Sequence, residues 1–148
     1  MRKSIISIAI AGLFMSLACC TATTPKKSET DKNAAETVAV ADAMAWLSLV
    51  DNQQYSESWE ESAQFFKNAI KEQQWVQTLE LTRKPLGKTI SRELKSKSYV
   101  TNVPRAPRGE YVIIEFNSSF EYRKTSVETV TTMLEKDGKW RVSGYFMR

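Results

Sequence analysis

The 148-residue sequence contains no histidine, and its only two cysteines, Cys19 and Cys20, are adjacent. Without imidazole the chain lacks the commonest general base, the usual partner of a catalytic nucleophile and the commonest metal ligand. Adjacent cysteines cannot staple a domain, and they do not form a Cys-x-x-Cys zinc or redox pattern. Carboxylates alone favour hard, weakly held cations, so neither a transition-metal site nor a cofactor is expected. Any catalysis would run on Glu, Asp, Tyr, Lys or Arg. Long apolar runs are missing too: Ile5 to Leu17 is shorter than the roughly 20 residues of a transmembrane helix. What remains is 42% apolar and 26% charged, which suits one globular domain and is too short for two with separate cores.

The N-terminus reads as a targeting segment over residues 1–18, with Met1-Arg2-Lys3-Ser4 as a basic start before the apolar run. Its end, Ser-Leu-Ala-Cys-Cys, resembles the lipobox of bacterial lipoproteins, in which a small residue precedes the cysteine that is lipidated and becomes the new N-terminus. Cys19 follows Ala18 and fits that rule. Cys20 has Leu17 three residues before it but would need Cys19 at the cleavage position, so it is the alternative. The resemblance implies a multi-chain lipid anchor, the regime of stable membrane attachment. Thr21 to Ala34 has no large apolar residue and cannot bury enough to order itself, so residues 19–34 read as the lipidated cysteine and a flexible tether. No Asp follows the cysteines, the residue that signals inner-membrane retention in Gram-negative lipoproteins. The resemblance therefore leans towards the periplasmic face of the outer membrane.

A single domain is expected over 35–148. Val40, Met44 and Leu47 sit at i, i+4 and i+7, and Ala39, Ala43, Trp46 and Val50 widen that face, which predicts a central helix ending at Asp51-Asn52. Ser58-x-x-Glu61 offers a capping box for a second helical piece with Phe65, Phe66 and Ile70. Trp75, Val76 and Leu79 mark a third helix that Pro85 and Gly87 must stop. From Lys88 to Val103 a long strand is expected, with Ile90 and Leu94 on one face and a bulge near Lys97-Ser98. Pro104 to Gly109 is a loop. Three strand patterns follow. Val112, Ile114, Phe116 and Phe120 form a core face, Ser126 to Glu135 is rich in Val and Thr, and Asp137-Gly138 signals a hairpin before Trp140 to Phe146. In the last strand Trp140, Val142 and Phe146 alternate against Arg141, Ser143 and Tyr145. A two-residue loop at the hairpin would set Leu134 opposite Arg141, and a three-residue loop opposite Trp140. Three helices followed by four strands indicate an α+β domain, a curved antiparallel sheet wrapped around the first helix.

Ala-Trp-Leu-Ser-Leu-Val-Asp from Ala45, Tyr55 with Trp59, Gln74-Trp75-Val76, Arg83-Lys-Pro-Leu-Gly, Arg92, Gly109-Glu-Tyr-Val, Glu128-Thr-Val-Thr and Asp137-Gly-Lys-Trp-Arg-Val-Ser-Gly-Tyr resemble the bacterial domain of unknown function numbered 4019. The likeness covers nearly all of Ala39 to Arg148 and implies a cystatin-like cone similar in layout to the nuclear-transport-factor fold. It implies no activity, so no catalytic residue follows from it.

Charge divides the domain. Eight acids against two lysines leave −6 from Ala35 to Glu80, and fourteen basic residues against seven acids leave +7 from Leu81 to Arg148. The two signs either solvate and partly attract each other, or the basic half meets an envelope protein or an anionic envelope component. Nucleic acid is not expected as a partner of an exported, tethered chain. The four tryptophans read as core. Two classes of function compete: a non-catalytic binding or interaction module on a membrane tether, and a cone-shaped pocket that binds a small molecule or transfers protons with a carboxylate of raised pKa. For a pocket, the candidate residues are Arg92, Tyr111, Glu115, Glu128 and Tyr145.

Overall fold

The fold is a computed structural model that describes residues 27–148; the targeting segment, Cys19, Cys20 and the first residues of the expected tether lie outside the described residues. Helix α1 spans Glu29–Asp51 and starts at Ser28, whose hydroxyl accepts from the Asp31 amide at 3.1 Å. The last six residues of the expected tether, Glu29 to Ala34, are therefore helical. Composition gives them no apolar face of their own, but extending a helix costs far less than nucleating one, and Glu29 and Asp31 suit the positive end of its dipole. Ala39, Ala43, Trp46, Leu47 and Val50 are its buried residues, whereas Met44, expected among them, is exposed. At 23 residues the helix is about 34 Å long.

Three short helices follow, α2 (Tyr55–Glu60), α3 (Gln64–Ala69) and α4 (Glu72–Thr82), so the described chain has one more helix than expected. Ser58 is not a cap. It lies inside α2, fully buried, where its hydroxyl donates to the Tyr55 carbonyl and accepts from Trp75 Nε1 at 2.9 Å. Trp46 Nε1 donates to the Ser58 carbonyl and to Ser62 Oγ. Buried indole N–H groups need partners, and this small serine cluster supplies them. A 3₁₀ turn, Lys84–Leu86, carries Pro85 and ends at Gly87, whose φ is 75°. A Cβ there would lie 2.7–2.9 Å from Glu121 and Tyr122, so glycine is required twice over, by conformation and by space.

Strands β1 (Thr89–Val100), β2 (Tyr111–Phe120), β3 (Ser126–Leu134) and β4 (Trp140–Met147) form one antiparallel sheet in sequence order. Val112, Ile114 and Phe116 of β2, Val130 of β3, and Trp140 and Val142 of β4 pack with α1 in the core. The hairpin has a three-residue loop, with Leu134 opposite Trp140, Gly138 at φ 80° and its N–H donated to the Glu135 carbonyl. The bulge expected near Lys97-Ser98 falls earlier: β1 slips register at Ile90 and again at Lys95. Ile90 and Leu94 stay 63% and 47% exposed on this edge strand, each at or beside a register slip.

A further slip corrects the expected face of β4. Thr132 pairs with Val142 and Thr131 with Gly144, so Ser143 is an extra residue. Alternation reverses past it. Tyr145 therefore turns inward opposite Val130, and Phe146, expected in the core, is 60% exposed. The outer edge of β4 is partly covered, since the Ala63 amide donates to the Val142 carbonyl at 2.8 Å. On β1 the Tyr99 amide donates to Glu36 of α1 at 2.9 Å. Among the described residues no helix is long and apolar enough to cross a membrane.

Candidate functional site

The inward parity of β3 places Ser126, Glu128, Val130 and Thr132 on the core side, so an acid enters an otherwise apolar and hydroxyl-lined row. Glu128 is 0% exposed. A buried carboxylate is tolerable only if it is paired and hydrogen-bonded, and Glu128 is. Arg92 Nε donates to Oε2 at 2.7 Å and Nη2 to Oε1 at 3.2 Å, Tyr145 Oη donates to Oε1 at 2.7 Å, and Ser118 Oγ donates to Oε2. Arg92 turns its other edge to Asp51 at the end of α1, with contacts of 2.7 and 3.0 Å. Its guanidinium thus forks to two carboxylates, a geometry that lysine cannot reproduce.

Asp51 is held further by Thr89 Oγ1 at 2.8 Å and by Arg83 Nη2 at 2.9 Å. Arg83 also donates to the Gly87 carbonyl and lies over the Phe120 ring, 4.3 Å from its centroid, leaving only its buried Nε without a partner. Two arginines and two carboxylates make a neutral set. Burial acts to raise the Asp51 pKa, but the bonds from Arg92, Thr89 and Arg83 outweigh it and hold the carboxyl below its usual range. Burial likewise opposes the charge on Arg92, yet its bonds to Asp51 and Glu128 raise its pKa. Burial, with the charge and bond of Glu128, pushes the Tyr145 phenol well above its ordinary value. Tyr145 links this set to an aromatic cluster, with its ring 5.5 Å from Trp46 and 6.3 Å from Trp75, and Phe66 packs edge-on against Trp75 at 5.0 Å.

Of the five candidate residues, Arg92, Glu128 and Tyr145 come together, and Tyr111 and Glu115 do not. Tyr111 pairs with Met133 on the opposite face and is buried there, donating its hydroxyl to the Pro107 carbonyl. It pins the loop between β1 and β2. Glu115 also faces outward, between Lys95 at 3.0 Å and Arg148 at 2.9 Å. The bond from Lys95 is the main cause that lowers its pKa, so Glu115 is not the raised-pKa carboxylate that a proton-transfer site would need. Asp51, Arg83, Thr89 and Ser118 were absent from the candidates. Asp51 had a legible signal: it follows Leu47 by four residues on the buried stripe, and a carboxylate at a helix C-terminus is unfavourable without cationic partners.

The interior is filled around Glu128, but a pocket of about 220 Å³ opens onto the other end of this set, at Asp51 and Arg83, with Tyr55, Gly87 and Glu121 also lining it. A groove of about 540 Å³ runs between α1 and the start of β4, with Asp42, Trp46 and Leu49 on one side and Lys139, Trp140 and Arg141 on the other. Burial raises the Asp42 pKa, with Arg141 and Lys139 opposing it. Arg141 is already committed to Glu135 at 2.9 Å and Asp137 at 2.8 Å. The family model described as "Protein of unknown function (DUF4019)" matches residues 42–145 of the chain. No curated protein matches it.

Proposed function

The chain belongs to the DUF4019 family of proteins of unknown function, and from that premise we propose that it is an envelope lipoprotein acting as a non-catalytic binding module. The anchor is lipid at Cys19, or at Cys20, on the periplasmic face of the outer membrane. One observation carries the non-catalytic part. Glu128, the carboxylate best placed in the interior for proton transfer, is fully buried and accepts four hydrogen bonds from Arg92, Tyr145 and Ser118. A general acid or base needs a free route to substrate, whereas a saturated carboxylate fastens β3 to β1, β2 and β4. The groove between α1 and β4, apolar at Trp46, Leu49 and Trp140 and charged at Asp42, Lys139 and Arg141, is the face that suits a ligand or protein partner.

Glu128→Gln separates the two roles. As a structural element the residue should cost roughly 3–5 kcal/mol of unfolding free energy when its charge is removed and Arg92 is left half-paired. A variant that unfolds within about 1 kcal/mol of the parent would return Glu128 to the list of catalytic candidates. The anchor has its own test: the double variant Cys19→Ser, Cys20→Ser should leave the membrane fraction in a high-salt wash, and its retention there would refute the lipoprotein reading.

A further inference from the structure

We propose that the end of the domain formed by the start of α1, the 101–110 loop and the 135–139 turn rests on anionic phospholipid headgroups of the membrane that holds the anchor. This deepens the lipoprotein reading and depends on it. Val100 pairs with Tyr111, Leu134 pairs with Trp140, and the Leu134 amide donates to the Glu110 carbonyl at 2.9 Å, so the loop and the turn share one end of the sheet. The chain enters the domain at that same end, because Lys27 is ion-paired with Glu110 and sits 5.2 Å from the Tyr99 ring centroid. Cys19 precedes Lys27 by eight residues, which span at most about 28 Å. The anchor therefore selects which end of the domain can reach the bilayer.

Charge complementarity supports the contact. At this end Glu110 is paired with Lys27, Glu29 with Lys32, and Glu135 and Asp137 with Arg141. Arg105, Arg108, Lys136 and Lys139 are exposed at the tips of the two connections, and among the described residues none of the four has an ion-pair partner within 4.0 Å. The acids there without an ion pair are Asp31, which is bonded to Ser28, and Asp42 and Glu61, which line the groove. Each basic side chain near an anionic surface favours the docked arrangement by about fivefold, and the short tether removes the cost of finding the surface. No large exposed apolar side chain lies in either connection, so the contact is electrostatic and salt-sensitive.

Hydrogen–deuterium exchange on the intact lipidated protein tests this, in vesicles of phosphatidylcholine alone and of phosphatidylcholine with phosphatidylglycerol. On the anionic vesicles, amides of 101–110 and 135–139 should exchange about tenfold more slowly than on the neutral ones, with the far turn at 121–125 unchanged. An Arg105→Glu, Arg108→Glu chain should still float with the vesicles and lose the slowing. Equal exchange on both vesicles, or slowing at 121–125 instead, overturns the orientation while leaving the anchor intact. If the parent chain does not float with either vesicle, the anchor itself fails and the orientation falls with it.

Discussion

Two arginine–carboxylate clusters occupy opposite faces of the same sheet. Inside, Arg92 joins Asp51 and Glu128, with its side chain 6% exposed and that of Glu128 at 0%. Outside, Arg148 and Lys95 flank Glu115, and the Arg148 side chain is 58% exposed. The residue types and the contact distances are nearly the same, so distance alone does not separate the clusters. Solvent does. Outside, water replaces any partner that leaves, and salt screens the remainder. Inside, a lost partner leaves a charge stranded in a medium that cannot solvate it.

The strongest way to break this contrast is Arg92→Ala, which strands two carboxylates at once. Urea unfolding should show a loss of about 5 kcal/mol or a chain that does not fold. Arg92→Lys should recover only part of it, because an ammonium cannot fork to both acids; full recovery would show that charge alone suffices. Phe116→Ala or Trp140→Ala should cost roughly 3–5 kcal/mol through a cavity rather than a charge. A loss below about 1 kcal/mol would contradict the inward register of β2 or β4.

pH sharpens the comparison. The folded pKa of Asp51 is depressed, so its contribution is complete above the unfolded value of about 3.9 and is lost as pH falls through the folded value. Thermal melts should therefore be nearly flat between about pH 6 and 8, where the chain has no imidazole to titrate, and should drop below about pH 4. An Asp51→Asn chain, if it folds, should show a shallower acid drop. A large slope between pH 6 and 8 would reveal a strongly perturbed group and favour the proton-transfer reading. The smallest effect belongs outside: Arg148→Ala should change stability by no more than about 0.5 kcal/mol at physiological salt, and a larger loss would erase the distinction between the faces.

The sequence was most legible where a pattern repeats. The stripe from Ala39 to Val50, the alternation in β2 and the Asp137-Gly138 turn each read directly as the element found. Legibility failed where one residue breaks a period. Ser143 is polar and unremarkable in sequence, yet as the bulged residue it exchanges Phe146 for Tyr145 on the inner face. Ser58 three residues before Glu61 has the form of a capping box, but the demand of two indole N–H groups in the core set its actual role. Arg92, Glu128 and Tyr145 were legible as polar residues in strands. That Asp51 and Arg83 join them depends on the Arg83 side chain, just past α4, reaching the last residue of α1, a long-range fact that no local pattern encodes.

The treatment of the sheet edges bears on how many copies can stand together. A chain confined to a surface meets its neighbours far more often than one free in solution, and an unguarded strand would then invite strand-to-strand growth. Here β4 gives its Val142 carbonyl to Ala63, while β1 is bent twice, at Ile90 and Lys95, and has its Tyr99 amide taken by Glu36. Neither edge offers a straight, continuous row of free amides and carbonyls. Copies held close together by the proposed lipid anchor would therefore remain separate domains, each with its own groove between α1 and β4.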